Sequence, residues 1–300
     1  MAQKTLIVIV GPTAIGKTSL AIDLAQHYQT EIISADSRQF FKEMSIGTAK
    51  PSEEELAAAP HHFINSHSVT QLFSTGDFEV QALALMEKLF TKHDILIMVG
   101  GSGLYINAIC NGLDDMPEID LNIREELNQQ FANEGIESIR TQLASLDPEY
   151  FEKVDQSNPQ RMIRGLEVVL STGQKLSSFL TSNKKERPFN IIKIGLNTER
   201  EKLYNQINHR VDVMVESGLV EEVKSLAAYK ELNALKTVGY AEIFDYLDGK
   251  TDLVTAIDKI KQNTRRFAKR QLTWFRKDED TAWFEPGQTE KVFDFVNRSL

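Results

Sequence analysis

A phosphate-binding pattern, G-x-x-x-x-G-K-[ST], stands near the start of the chain. It is formed by eight consecutive residues: Gly11, Pro12, Thr13, Ala14, Ile15, Gly16, Lys17 and Thr18. The glycines let backbone N–H groups turn inward around an anion, and a helix that starts here adds a favourable dipole. Lys17 offers a charge to a terminal phosphate, and the Thr18 hydroxyl can ligate Mg²⁺. The pattern predicts diphosphate or nucleotide binding with Mg²⁺, and a merely structural turn is the alternative.

A second motif of nucleotide hydrolases is missing. These enzymes usually carry a metal-binding aspartate after a buried strand. The apolar run Ile95–Val99 predicts such a strand, but Gly100 follows it and Asp94 stands at its opposite end. The sequence therefore disfavours motors and switches and leaves small kinases and transferases.

One carboxylate is expected beside the phosphate loop. Ligands of parallel α/β sheets bind at the carboxyl ends of the strands. Two further segments should reach that edge, Ser34–Gln39 and Gly100–Tyr105, and the first contains Asp36. Since a carboxylate repels a polyphosphate, Asp36 there suggests metal ligation or general-base work. A helix N-cap is the alternative role.

The elements that must position these residues alternate between strands and helices. Short apolar runs predict strands at Thr5–Val10, Glu31–Ser34, Ile95–Val99 and Ile191–Leu196. Helical spacing covers Thr18–Gln29, Phe78–Phe90, Arg200–Ala228, Tyr240–Leu247 and Thr251–Phe275. Residues 40–75 predict loops with a short helix at Ser52–Ala59. This order predicts an α/β fold, with a parallel sheet core of the phosphate-loop NTPase type flanked by helices.

The pattern changes in the middle of the chain. No strand is predicted between residues 114 and 187, where helical spacing covers Leu121–Glu134, Ile136–Leu146, Pro148–Val154 and Pro159–Leu170. We therefore expect an all-helical insertion domain at 114–187. Residues 1–113 would form the first part of the core, and residues 188–300 would complete it with a basic C-terminal helix.

Composition excludes several classes of protein. Hydrophobic residues make up 41% of the chain and charged residues 26%, which excludes disordered, collagen-like and coiled-coil proteins. The single cysteine allows no internal disulfide and no cysteine zinc cluster. No apolar run is long enough to span a bilayer, so we expect a cytoplasmic, unanchored chain, with a monomer as the default.

The net charge of −9 argues against a nucleic-acid partner, but Lys259–Lys277 holds 8 basic residues and no acidic one. Such a local stripe can bind phosphates.

The order of these segments resembles the tRNA dimethylallyltransferases, also called tRNA isopentenyltransferases. The matching pieces are the phosphate loop, Ile33–Gln39, Ile46–Pro51, Pro60–His62, Gly100–Tyr105, Asn158–Arg161, Val238–Tyr240 and Lys269–Arg276. The resemblance implies transfer of a dimethylallyl group from dimethylallyl diphosphate to N6 of adenosine 37, beside the tRNA anticodon. It further implies Mg²⁺ as cofactor, a phosphate-loop core with a helical insertion, and Asp36 as the general base.

The resemblance also implies a set of tRNA contacts. These are Asp36, Ser37, Arg38, Gln39, Ser102, Arg124, Gln160, Arg161, Met162, Ile163, Arg164, Lys236, Gly239, Tyr240, Lys269, Arg270, Gln271, Trp274 and Arg276. Helical spacing independently puts Lys261, Arg265 and Lys269 on one face, with aromatic residues nearby for stacking. A solvated basic face is the alternative there, and salt bridges within the insertion are the alternative for Arg161 and Arg164. The chain departs from the family at Ala241, where Arg or Lys is usual.

Two other functions stay open at this point. A small-molecule kinase would account for the phosphate loop and Asp36, but not for the basic segment or the insertion. An RNA-binding protein without catalysis would not need Lys17, Thr18 and Asp36. His61-His62 and Cys110 are interpreted as structural, since no third metal ligand and no neighbouring base stand beside them in sequence.

Overall fold

The computed structural model describes residues 3–181 and 183–300. The chain divides into two compact units. One unit comprises Met1–Cys110 and Glu186–Leu300, and the other comprises Asn111–Lys185. The sequence places the insertion at 114–187, within three residues of the second unit at either end. None of the described helices is both long and apolar enough to cross a membrane.

The larger unit is built on a six-stranded sheet. Its strands are β1 (Thr5–Val10), β2 (Ile32–Ser34), β3 (His61–His62), β4 (Ile95–Val99), β5 (Asn190–Leu196) and β6 (Thr281–Phe284). Their order is β3-β2-β4-β1-β5-β6, and every neighbouring pair is parallel. The four predicted strands are confirmed. The sequence analysis missed β3 and β6, the two strands at the edges of the sheet.

Helices cover both faces of this sheet. As a result β1 is buried along its whole length, and its side chains pack alternately into two apolar cores. The helices are α1 (Lys17–His27), α2 (Glu53–Ala58), α3 (Thr75–Leu89), α4 (Gly103–Asn111), α10 (Arg200–Glu216), α11 (Leu219–Ser225), α12 (Tyr240–Leu247), α13 (Leu253–Phe275) and α14 (Thr289–Ser299), with 3₁₀ turns at Ala227–Tyr229 and Asn233–Leu235. The single helix predicted over Arg200–Ala228 is wrong. The chain breaks between α10 and α11 because Gly218 adopts a φ of +99°.

Among the described residues of the smaller unit, all regular secondary structure is helical. It contains α5 (Leu121–Glu134), α6 (Ile136–Leu146), α7 (Pro148–Lys153), α8 (Pro159–Thr172) and α9 (Leu176–Phe179). Each of α7 and α8 starts with a proline behind an Asp or Asn cap. The unit has its own apolar core, formed by Leu127, Ile139, Leu143, Met162, Ile163 and Leu166. The prediction that this part of the chain folds as helices is confirmed.

Candidate active site

The phosphate loop joins β1 to α1 in a conformation that ordinary residues rarely adopt. Gly11, Ala14 and Gly16 all have positive φ, at 147°, 64° and 92°. A Cβ on Gly11 would lie 2.6 Å from the Leu196 carbonyl oxygen, so a side chain is excluded there. The loop leads directly into the start of α1 at Lys17, and backbone amides at a helix start typically bind anions.

Lys17 reaches back across the loop. Its Nζ donates to the Pro12 carbonyl oxygen at 2.7 Å. Burial lowers the pKa of Lys17 to about 7, with a further decrease from Arg210, and Asp36 opposes both effects. A bound anion would restore the charge of this lysine, because it stabilises the ammonium form.

One amide of the loop is already occupied. The Thr13 N–H donates to Gln271 Oε1 at 2.8 Å, and Gln271 Nε2 donates to the Gly101 carbonyl oxygen at 2.9 Å. Gln271 is 6% exposed. In this structure the Thr13 amide and the Gln271 side chain bond to the protein itself, although both residues line the cavity beside the loop. Phosphate binding by the Thr13 amide and the contact of Gln271 with tRNA stay predictions.

Asp36 follows β2 and uses one carboxylate oxygen to shape its own loop. Oδ1 accepts hydrogen bonds from the backbone N–H groups of Arg38 at 2.9 Å and Gln39 at 3.3 Å. This is the cap-like role that the sequence left open. The other oxygen, Oδ2, has no hydrogen-bond partner within the described part of the chain, so the capping role leaves it available for chemistry.

Two cavities meet at Asp36. The first, of about 430 Å³, is lined by the phosphate loop and by Lys50, His61 and Gln206. The second, of about 220 Å³, has a more apolar lining that includes Ile207, Val211, Met214, Val238 and Ile260. Five residues line both cavities: Thr13, Asp36, Thr48, Arg210 and Phe267. A group bound at the phosphate loop and a group bound in the second cavity would therefore meet beside Asp36.

Arg210 is a candidate anion-binding residue that the sequence analysis did not single out. It lies on α10 and reaches the junction of the two cavities, where it makes only long hydrogen bonds of 3.5 Å to Thr13 Oγ1 and to the Ala49 carbonyl oxygen. Burial lowers its pKa, which the charges of Asp36 and Glu55 partly offset. Among the described residues no carboxylate forms an ion pair with it, so the guanidinium is free to bind an anion.

A part-buried hydrogen-bond network holds the loop that contains Gly47, a residue that lines the second cavity. Glu222 accepts hydrogen bonds from the N–H groups of Ser45, Ile46 and Gly47 at 2.9, 2.7 and 3.0 Å. The Tyr240 hydroxyl also donates to Glu222, at 2.6 Å, and Tyr240 is fully buried. Its ring packs on Gly47 inside the protein. The contact of Tyr240 with tRNA stays a prediction.

The other predicted tRNA contacts of the larger unit either line the cavities or are exposed on the surface. Ser37, Arg38 and Ser102 line the second cavity, where Ser102 Oγ accepts from the Ser37 N–H at 2.9 Å. Gln39 donates to the carbonyl oxygens of Thr48 and Ala49 at 3.2 and 3.0 Å. Of the predicted tRNA contacts on α13 and its C-cap, Lys269, Arg270, Trp274 and Arg276 are exposed. Lys236 is also exposed and pairs with Glu231, while Gly239 has a φ of +97° at the start of α12.

The basic face of α13 is partly neutralised. Lys261 pairs with Asp212 at 2.5 Å, and Arg265 donates to Asn208 at 2.6 Å. Lys269 has no ion pair within the described chain. Of the three residues that share this face, Lys269 therefore keeps its charge most available to a ligand.

In the helical unit, Glu167 holds two of the predicted arginines. It is 2% exposed and pairs with Arg124 through two hydrogen bonds and with Arg164 at 3.3 Å. Gln160 and Arg161 are exposed at the start of α8. Met162 and Ile163 are 0% and 2% exposed, and their contact with tRNA stays a prediction. Helical periodicity turns these two residues into the core.

The donor set around the phosphate loop suits Mg²⁺. No group of three His, Cys, Asp or Glu side chains in the described chain could hold a metal alone. Mg²⁺ usually keeps several waters and binds through one or two protein groups plus substrate phosphates. Thr18 and Asp36 line the same cavity. His61 Nδ1 donates to the Ala59 carbonyl oxygen, and the described residues give its buried Nε2 no partner. This acceptor could bind a metal-bound water.

Two other residues have structural surroundings. His62 pairs with Glu31 at 2.6 Å, away from its neighbour His61. Cys110 is buried, and burial raises the pKa of its thiol to about 11, so it is a poor nucleophile at neutral pH.

Comparison with known proteins agrees with this geometry. The family model described as IPP transferase matches residues 39–278. A tRNA dimethylallyltransferase of Christiangramia forsetii is 56% identical and covers 98% of each chain, and tRNA dimethylallyltransferase 1 of Bacteroides fragilis is 46% identical over the full length of both. The crystal structure of a tRNA isopentenylpyrophosphate transferase from Bacillus halodurans is 37% identical, with a TM-score of 0.72 over 98% of this chain and 96% of that one. A eukaryotic dimethylallyltransferase acting on tRNA has a TM-score of 0.79 at 27% identity, over 94% of this chain and 74% of that one. The chain therefore belongs to the IPP transferase family, the family of the tRNA dimethylallyltransferases.

Proposed function

We propose that this protein transfers a dimethylallyl group from dimethylallyl diphosphate to N6 of adenosine 37 in tRNA and releases diphosphate. The observation that carries the proposal is the position of Asp36, where a phosphate-binding cavity and a more apolar cavity meet. The family membership supports this reaction over phosphoryl transfer by a small kinase. The proposal includes a monomeric enzyme in the cytoplasm, the compartment that holds its tRNA substrate.

The donor would bind in the first cavity. Its diphosphate would accept hydrogen bonds from the amides of residues 14–18 and from Lys17 and Arg210. As the bond between C1 and oxygen breaks, negative charge grows on the leaving diphosphate, and these fixed cations stabilise it. Thr18 would hold Mg²⁺, which neutralises phosphate charge when bound.

The acceptor base would enter the second cavity. As the bond from N6 to C1 forms, N6 loses a proton, and Asp36 Oδ2 is the acceptor for that proton. Asp36 Oδ1 stays bonded to the loop and keeps the carboxylate aimed at the junction. An adenine that leaves the anticodon-loop stack loses a few kcal/mol of stacking, by the general cost of base flipping. Contacts to the flanking nucleotides must offset that loss.

The tRNA contacts would come from both units. In the larger unit, Ser37 and Arg38 line the base cavity, and Lys269, Arg270 and Arg276 offer exposed charge. Trp274 is 44% exposed and offers a ring on which a base can stack. In the helical unit, Arg124, Arg161 and Arg164 are the exposed or half-exposed cations that would bind phosphates.

Nucleoside mass spectrometry tests the proposal. Unmodified tRNA is incubated with the protein, Mg²⁺ and dimethylallyl diphosphate, and a parallel tube receives ATP in place of the donor. We expect a prenylated adenosine in the first tube alone. The absence of any adduct on several tRNAs that carry adenosine at positions 36 and 37 would contradict the proposal and favour a kinase.

A further inference from the structure

Gln271 fills the space between the phosphate loop and the end of β4. Both ends of its side-chain amide are bonded, to the Thr13 N–H and the Gly101 carbonyl oxygen. A Cβ on Gly101 would lie 2.3 Å from Gln271 Nε2 and 4.0 Å from Lys17 Nζ. The amide and the Lys17 ammonium thus both lie near the same glycine, at the wall of the first cavity.

The end of β4 is shaped to admit this side chain. In phosphate-loop hydrolases a metal-binding carboxylate comes from such a strand. Here Gly100 and Gly101 follow the strand, and a Cβ on Gly100 would lie 2.2 Å from the Ala35 carbonyl oxygen. Because neither glycine has a side chain, the space beside the end of β4 is open to Gln271, which extends into it from α13.

This arrangement limits how many phosphate oxygens the loop can hold. In a site for a nucleoside triphosphate, the loop amides cradle the α- and β-phosphates and the lysine reaches the β- and γ-phosphates. Here Gln271 withholds the Thr13 amide and offers no N–H of its own on the loop side, because Nε2 donates to Gly101. We propose that Gln271 sets the length of the phosphate chain, so that the site accepts a diphosphate and rejects a triphosphate. This inference rests on the proposed function, which places a diphosphate in this cavity.

Titration calorimetry with inorganic diphosphate and inorganic triphosphate, at a fixed excess of Mg²⁺, tests the inference without tRNA. The wild-type protein is expected to bind diphosphate at least tenfold more tightly than triphosphate. In Gln271→Ala this ratio should fall at least fivefold, through a gain in affinity for triphosphate. Gln271→Asn, which keeps a buried amide but is shorter, should shift the ratio in the same direction and serves if the alanine variant does not fold. Gln262→Ala, at an exposed position of α13, should keep the wild-type ratio.

The outcomes separate this inference from the proposed function. Equal affinity of the wild-type protein for both anions would overturn the inference alone. A loss of affinity for both anions by the same factor in the Gln271 variants would also overturn it, since that result describes only a structural clamp. If the wild-type protein binds no diphosphate, the proposed function fails and the inference fails with it.

Discussion

Replacement of Asp36 by asparagine separates the two roles of this residue. The amide oxygen of the introduced asparagine can still accept the two backbone hydrogen bonds that Oδ1 accepts now, so the loop should keep its shape. The group that takes the N6 proton is lost. General-base assistance typically contributes about 10²- to 10⁴-fold, or about 3–5 kcal/mol. We therefore expect kcat to fall by that factor.

The same change should not weaken binding of the donor. Asp36 is a negative charge beside Lys17 and Arg210, and it repels a diphosphate. In Asp36→Asn the KM for dimethylallyl diphosphate should therefore stay equal or decrease, and tRNA affinity should stay near the wild-type value. Single-turnover prenyl transfer and filter binding of tRNA measure these quantities separately.

Asp36→Ala is the matched control for the loop. It removes both hydrogen bonds in addition to the base, and loss of such a cap costs about 0.5–2 kcal/mol. Thermal unfolding should therefore separate the alanine variant from the asparagine variant. A kcat of Asp36→Asn within tenfold of wild type would refute the assignment of Asp36 as the base.

Three further predictions follow from named contacts. Because the pKa of Lys17 is lowered to about 7 in the free protein and a bound anion raises it, metal-free diphosphate affinity should decrease as the pH rises above 7, as titration at several pH values can show. Gly47→Ala places a Cβ 2.5 Å from the Tyr240 ring and should destabilise the protein by about 1–3 kcal/mol in chemical denaturation, whereas an unchanged midpoint would contradict this packing. Glu167→Gln weakens the charged hydrogen bonds to Arg124 and Arg164. It should raise the KM for tRNA several-fold at constant kcat, and a change in kcat alone would contradict it.

The parts of the site that directly follow predicted strands could be predicted from the sequence. The phosphate loop and Asp36 lie next to predicted strands, and the edge rule for parallel sheets brings them together. Arg210 and Gln271 could not be placed in this way, because their positions depend on how α10 and α13 cross that edge. The sequence does contain one indication that Gln271 is buried. This residue falls among Ala256, Ile260, Ala268 and Phe275, the buried residues of α13, so a polar residue stands where helical spacing expects an apolar one.

The surroundings of Arg210 give a physical reason why an acidic protein would bind the proposed diphosphate here. A buried cation loses several kcal/mol of hydration, and proteins usually offset this loss with a carboxylate partner. Arg210 has no ion pair within the described chain, and its hydrogen bonds are long. Lys17 nearby has its pKa lowered by burial and by Arg210. Both cations are therefore poorly compensated by the protein itself, and a diphosphate in the first cavity would compensate both at once. The net charge of −9 belongs to the chain as a whole, and this local deficit of negative charge would favour the proposed donor.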